Sequence, residues 1–172
     1  MTENQPSVTS PAIKYGFIGG LVSIAYSAVL LVNGVDTNSW MGTLGYIILI
    51  VAMVMAMKEF KQSDHGYMSY GQGLGIGTLV SAVFGVLSGL FMFVYATFID
   101  PNFQQNIRDK QILDLESRGY SDEQIEQSMG IAEMFSSPTM LVVLTIVGYI
   151  FMGFIIALIV SAIMKNKRPE FE

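Results

Sequence analysis

The chain has no cysteine, a single histidine, a single tryptophan and little charge of either sign. Without cysteine there can be no disulfide framework, no thiolate site for zinc or an iron–sulfur cluster, and no thiol nucleophile. Palmitoyl and prenyl anchors are excluded on the same ground. Asp, Glu, Lys and Arg supply 13% of the 172 residues, against about 25% in an ordinary soluble domain. The net charge of −5 has the wrong sign for a nucleic-acid binder, which presents a basic face. What fills the space left by charge is apolar: hydrophobic residues reach 52% and the mean hydropathy is +0.51.

The charges are missing in blocks. Residues 15–35, 37–57, 66–99 and 134–164 contain no Asp, Glu, Lys, Arg or His. A helix rises about 1.5 Å per residue, so about 20 apolar residues cross a hydrocarbon core of about 30 Å. Each block is long enough for one crossing, and none carries the polar face that a helix of a soluble bundle needs. The sequence therefore predicts an all-α polytopic membrane protein with spans at about 13–32, 40–57, 74–99 and 139–164. Residues 1–12, polar and holding Pro6 and Pro11, read as a disordered N-terminus. The first apolar run is longer than the core of a signal peptide and reads as an uncleaved anchor.

Basic residues near span ends mark the cytoplasmic side. Lys14 precedes the first span, Lys58 and Lys61 follow the second, and Lys165, Lys167 and Arg168 follow the fourth. These six predict that both termini are cytoplasmic and that 33–39 and 100–137 are extracytoplasmic. Residues 165–172 form a basic, then acidic, cytoplasmic tail. Trp40 and Tyr95 are expected at the outer interface and Tyr15 at the inner one, as in aromatic belts.

The 100–137 connection carries helix signals. Asp100-Pro101 has the form of an N-cap with proline at the first helical position. Phe103, Ile107, Ile112 and Leu115 follow, and Gly119 is a natural stop. Ser121-Asp-Glu-Gln124 has the capping-box form, with Ile125, Met129 and Ala132 on one face. Ser137-Pro138 then starts the fourth span. Two short amphipathic helices are expected, over the outer end of the bundle or on the lipid surface. Eight acids against three bases disfavour anionic lipid.

Small residues recur at fixed spacing in the spans. Gly73, Gly77, Ser81, Gly85 and Gly89 are four residues apart. Glycine is a poor helix former, so five small residues in one register need a cause. In lipid, helices associate by close backbone contact, which small residues permit. The first span carries Gly19, Ser23 and Ser27 with Gly16 and Gly20 beside them, and the fourth carries Gly153, Ala157 and Ser161. These three spans are expected to form the tight core and the second span, with Ala52 and Ala56, to be peripheral. Whether the stripes meet within one chain or between copies is open at this point.

Residues that carry chemistry are scarce. No ionisable group lies at mid-span, where ion and proton carriers need one; the polar groups there are hydroxyls. Gly71-Gln-Gly73-Leu-Gly75 lacks the preceding strand and following Lys-Ser/Thr of a phosphate loop. His65 beside Asp64 lacks a third metal ligand. No catalytic residue, cofactor or metal site is assigned.

Several segments resemble the DUF4199 family, small membrane proteins typical of Bacteroidota. They are Ile13-Lys14-Tyr15-Gly16 with Gly19-Gly20-Leu21, Met68-Ser69-Tyr70-Gly71-Gln72-Gly73-Leu74 with Ile76-Gly77, and Phe98-Ile99-Asp100-Pro101. Ser137-Pro138 follows, then Ile155-Ile156-Ala157-Leu158-Ile159 with Ser161-Ala162-Ile163 before a basic cluster. Gly73 departs from the alanine usual there. The resemblance covers the chain from about residue 12; it implies a bacterial cytoplasmic membrane protein and no activity. The reading is a non-enzymatic membrane component, a subunit that binds a partner protein or itself. The alternative is a small oligomeric transporter or pore for a neutral or apolar solute.

Overall fold

The computed structural model describes residues 7–34 and 40–167. Among these residues six α-helices follow in order: α1 (Thr9–Val32), α2 (Trp40–Ser63), α3 (Tyr70–Val94), α4 (Phe103–Ser117), α5 (Asp122–Met134) and α6 (Pro138–Met164). A π-helical turn, Tyr95–Ile99, extends α3. Among the described residues there is no strand, only an isolated bridge between Met68 and Asn166. Four helices, α1, α2, α3 with its π turn, and α6, are long and apolar enough to cross a membrane. The chain is an all-α polytopic membrane protein.

Helix ends show why these boundaries hold. α1 begins at Thr9, so residues 9–12 are helical and the disordered leader expected over 1–12 is too long. Pro11 sits in the first turn, where the missing N–H has no intrahelical role. Residues 1–6 lie outside the described residues, as do 35–39 of the short connection and 168–172 of the tail. α2 runs past Met57 to Ser63, because Lys58, Glu59 and Lys61 can extend beyond the hydrocarbon without breaking the helix. α3 starts before position 74. Ser69 Oγ accepts from the Gln72 N–H (3.2 Å) and Gln72 Oε1 accepts from the Ser69 N–H (2.7 Å), a reciprocal cap. Ser137 Oγ accepts from the Met140 N–H at the start of α6.

The chain divides into two compact units, Met1–Ser88 with Ile146–Glu172, and Gly89–Thr145. In the first, contacts fix neighbours and direction. α1 and α2 are antiparallel: Lys14 pairs with Glu59 at one end, and the Tyr26 hydroxyl donates to the Met41 carbonyl (2.6 Å) further along. α3 lies parallel to α1, with Gly16 against Val83 and Gly20 against Leu87. α6 lies antiparallel to α3 and parallel to α2, where the Tyr46 and Tyr149 rings are 6.0 Å apart. Contacts thus join α1 to α2 and α3, and α6 to α2 and α3.

The core of this unit is built largely by α2 and α3. Leu49, Met53, Met57 and Phe60 of α2 meet Ile76, Val80 and Phe84 of α3, all essentially inaccessible. This corrects the expectation that the second span is peripheral. Counting small residues finds where backbones touch, but α2 contributes large side chains. Its buried positions, 45, 49, 52, 53, 56, 57 and 60, follow the roughly 3.5-residue repeat of a helix seam. α6 is the least buried of the four spans.

In the second unit the π turn closes with the Asp100 N–H donating to the Tyr95 carbonyl (2.9 Å). Tyr95 is buried, edge-on to Phe103 at 5.4 Å. Its ring finds aromatic partners in Phe91 and Phe103. Asp100 does not cap α4. Its Oδ1 accepts from the Asn102 N–H (3.1 Å), a turn ahead of a helix that starts at Phe103. α4 and α5 form a helical hairpin. Gly119 breaks it with φ +80, the Ser121–Gln124 capping box starts α5, and Ile125 and Met129 are buried. Arg108 of α4 pairs with Glu133 of α5.

Candidate functional site

The most organised feature of the first unit is the contact of α3 with α6. A β-carbon built on Gly77 would fall 2.5 Å from Ala157 Cβ, and one on Gly73 3.0 Å from Ser161 Cβ. On Gly85 it would fall 3.0 Å from Tyr149 Cβ, and on Gly153 it would overlap the Ser81 side chain. The pairs are thus 73 with 161, 77 with 157, 81 with 153 and 85 with 149. Every pair follows from the last by four residues forward on α3 and four back on α6, the register of an antiparallel contact. In each pair one partner is glycine and the other carries a side chain, so knobs on one helix enter gaps on the other. The small stripes of the third and fourth spans meet each other within one chain.

The hydroxyls in this seam behave differently. Ser81 Oγ donates to the Gly77 carbonyl of its own helix (2.8 Å), which leaves it satisfied in a dry interface. Ser161 is fully buried, and among the described residues its Oγ has no hydrogen-bond partner. Gly89, the fifth stripe position, is buried as well.

α1 uses its glycines against two neighbours. Gly16 and Gly20 meet Val83 and Leu87 of α3, and Gly19 meets Ala52 of α2 and Phe84 of α3. Ser23 is buried and Ser27 half-buried. The Tyr149 hydroxyl is directed toward Ser23 and Ser88 without a hydrogen bond to the buried Ser88 Oγ among the described residues, and the Tyr149 ring lies 5.0 Å from Phe84. This hydroxyl patch is the polar group of the bundle interior that the stripes alone did not reveal. Its signal is the tyrosine four residues before Gly153, which continues the α6 stripe with a large side chain.

The basic residues chosen as topology markers gather at one end of the bundle. Lys14 pairs with Glu59 at 2.5 Å, with its ammonium 5.1 Å from the Tyr15 ring. Lys61 Nζ donates to the Met164 carbonyl (3.3 Å), one of the open carbonyls at the end of α6. Lys58, Lys165 and Lys167 are exposed; Arg168 lies outside the described residues. Asn166 exchanges backbone hydrogen bonds with Met68, and its side-chain amide donates to the Gly66 carbonyl (3.0 Å). The α2–α3 turn is thereby tied to the chain after α6. Sequence reasoning missed Glu59 and Asn166, whose partners lie 45 and 100 residues away. His65 occupies this turn with φ +51, ahead of Gly66 at φ +90. Among the described residues no three His, Cys, Asp or Glu side chains are placed to hold a metal.

One protein family, described as "Protein of unknown function (DUF4199)", matches residues 14–166. The chain belongs to the DUF4199 family. No curated protein and no solved structure matches it. In this DUF4199 chain the matched region begins at the lysine of the α1–α2 ion pair and ends at the asparagine that holds the α2–α3 turn. It therefore contains every pair of the α3–α6 seam.

Proposed function

We propose that this DUF4199 protein is a non-enzymatic component of the inner membrane that works by binding another protein or a further copy of itself. The observation that carries the reading is how the small-residue stripes are used. They are occupied inside the chain, which makes the bundle a preassembled scaffold with α6 offering the most free surface. Phe151, Phe154, Ile155 and Ile159 are exposed on that helix, an apolar surface open to lipid or to a partner. The test is purification from native membranes in mild detergent. A reproducible co-purifying protein or a defined oligomer is expected; a bare monomer under all conditions would count decisively against the proposal.

The orientation belongs to the same reading. Lys14, Lys58, Lys61, Lys165 and Lys167 lie at one end, which supports cytoplasmic termini and an extracytoplasmic α4–α5 hairpin by the positive-inside rule. Proteolysis of 100–137 only from the outer face would support it, and cleavage from the cytoplasmic face of inverted vesicles would refute it.

A second reading rests on the hydroxyl patch of Ser23, Ser88 and Tyr149. Hydroxyls inside a lipid-embedded bundle are compatible with passage of a neutral or apolar solute through an oligomer. Solute flux in proteoliposomes, abolished by Tyr149→Phe, separates this from the binding reading.

A further inference from the structure

The helix that leads into the last span divides its residues by charge. On α5, Asp122, Glu126 and Glu133 fall within about a 40° arc at 3.6 residues per turn, while the fourth acid, Glu123, stands at the border of the uncharged side. Ile125 and Met129 turn to the protein and are buried. The side opposite the acids carries Gln124, Gln127, Ser128, Ile131, Met134 and Phe135, with no charge. Its apolar members are bare: Ile131 is 58%, Met134 74% and Phe135 46% exposed. Water is a poor environment for three such side chains side by side.

Chain connectivity says what else can cover them. Phe135 stands three residues before Pro138, the first residue of α6, at most about 10 Å of extended chain. α6 has 27 residues, about 40 Å at 1.5 Å per residue, which equals a bilayer with its headgroup layers. The start of α6 therefore lies in the interfacial layer, and the bare end of α5 lies beside it. At the other end of the same connection, Phe98 and Ile99 are also exposed, directly before Asp100. Charge selects the kind of lipid. The connection holds eight acids and three bases, and Arg108 and Arg118 are engaged by Glu133 and Asp114 of the hairpin itself. Helices that bind anionic lipid present a basic polar face; α5 presents an acidic one.

We propose that α5 is an interfacial helix whose Ile131–Met134–Phe135 face enters the headgroup and upper acyl region of a zwitterionic bilayer, with its acidic face toward water. The contact is apolar and so insensitive to salt. It anchors the α4–α5 hairpin at the membrane face from which it emerges, whichever side that is.

The chain has no cysteine, so single cysteines can be placed without background. The full-length protein is reconstituted in phosphatidylcholine bilayers with an environment-sensitive fluorophore at Ile131→Cys, Met134→Cys, Asp122→Cys or Glu126→Cys. Acyl-brominated phosphatidylcholine should quench labels at 131 and 134 several-fold more than those at 122 and 126. Aqueous iodide should show the reverse order, and raising the salt should change neither. Equal iodide access at all four sites would overturn the proposal. So would labels at 131 and 134 shielded from both quenchers, since that places a protein rather than lipid on this face. Circular dichroism of each variant confirms that the helices are retained, and Gln127→Cys gives an independent reading on the same uncharged side.

Discussion

At the scale of single residues, Gly75 and Gly77 make a controlled pair. They share a helix and differ by two positions, yet a β-carbon at 77 meets Ala157 and one at 75 meets nothing within 4 Å. Gly77→Ala should destabilise the protein by about 1–3 kcal/mol through overpacking. Gly75→Ala should be neutral or stabilising by up to about 1 kcal/mol, because alanine is the better helix former. Adding Ala157→Gly to Gly77→Ala exchanges knob and gap, so the double variant should recover much of the loss, with a coupling of about 0.5–3 kcal/mol. Thermal unfolding in detergent, followed by circular dichroism, reads all four proteins. Ser161→Ala is the companion test. Removing an unpartnered buried hydroxyl should raise stability by about 1–3 kcal/mol; an equal loss would mean that Oγ has a partner. The stripe positions were legible in the sequence because spacing by four on a helix forces them onto one side. Which stripe they meet was not, because the alternation of glycine with a side chain appears only when two distant segments are read in opposite directions.

At the scale of helices, the informative error concerns α2. A search for glycine and serine passes over Met53, Met57 and Phe60, yet these fill the centre of the first unit. Phe60→Ala should cost about 3–5 kcal/mol as a cavity, whereas Val51→Ala, at an exposed position of the same helix, should cost far less in the same unfolding assay. Two of the helix starts that serine caps through its side chain were read correctly. Ser121 and Ser137 were identified from local spacing, and Ser69 obeys the same Ser-x-x-Gln rule, though sequence reasoning passed over it. Ser121→Ala should lower the stability of α5 by about 0.5–2 kcal/mol, visible as faster amide exchange in residues 122–126 while the spans stay protected. Asp100 misled because Asp-Pro also opens a turn, and Asn102, two residues on, holds the cap position.

For the molecule as a whole, the number of crossings follows from the four uncharged blocks, and the family from the order of short motifs along them. Long-range polar ties were beyond reach. Lys14–Glu59, Lys61–Met164 and Asn166–Gly66 join residues whose proximity depends on the finished bundle. These ties cluster at the lysine-bearing end, so Asn166→Ala should loosen the α2–α3 turn, detectable as increased protease cleavage near Gly66 without loss of the α3–α6 contact. Replacing residues 100–137 with a short flexible linker tests how far that contact stands alone. α3 and α6 are antiparallel neighbours, and antiparallel helices in bundles are joined by connections of about 2–8 residues. The shortened chain should remain folded with α3 and α6 paired, checked by amide-exchange protection of both helices.

The pairing of α3 with α6 also sets an order of events during synthesis. Ser81 leaves the ribosome 72 residues before its partner Gly153, and chains grow at about 5–20 residues per second. For several seconds α3 therefore stands in the bilayer with its glycine face turned to lipid, open to any helix bearing small residues. In that interval the nascent protein is most exposed to capture by an insertion factor, or to exchange of its last helix with a neighbouring copy.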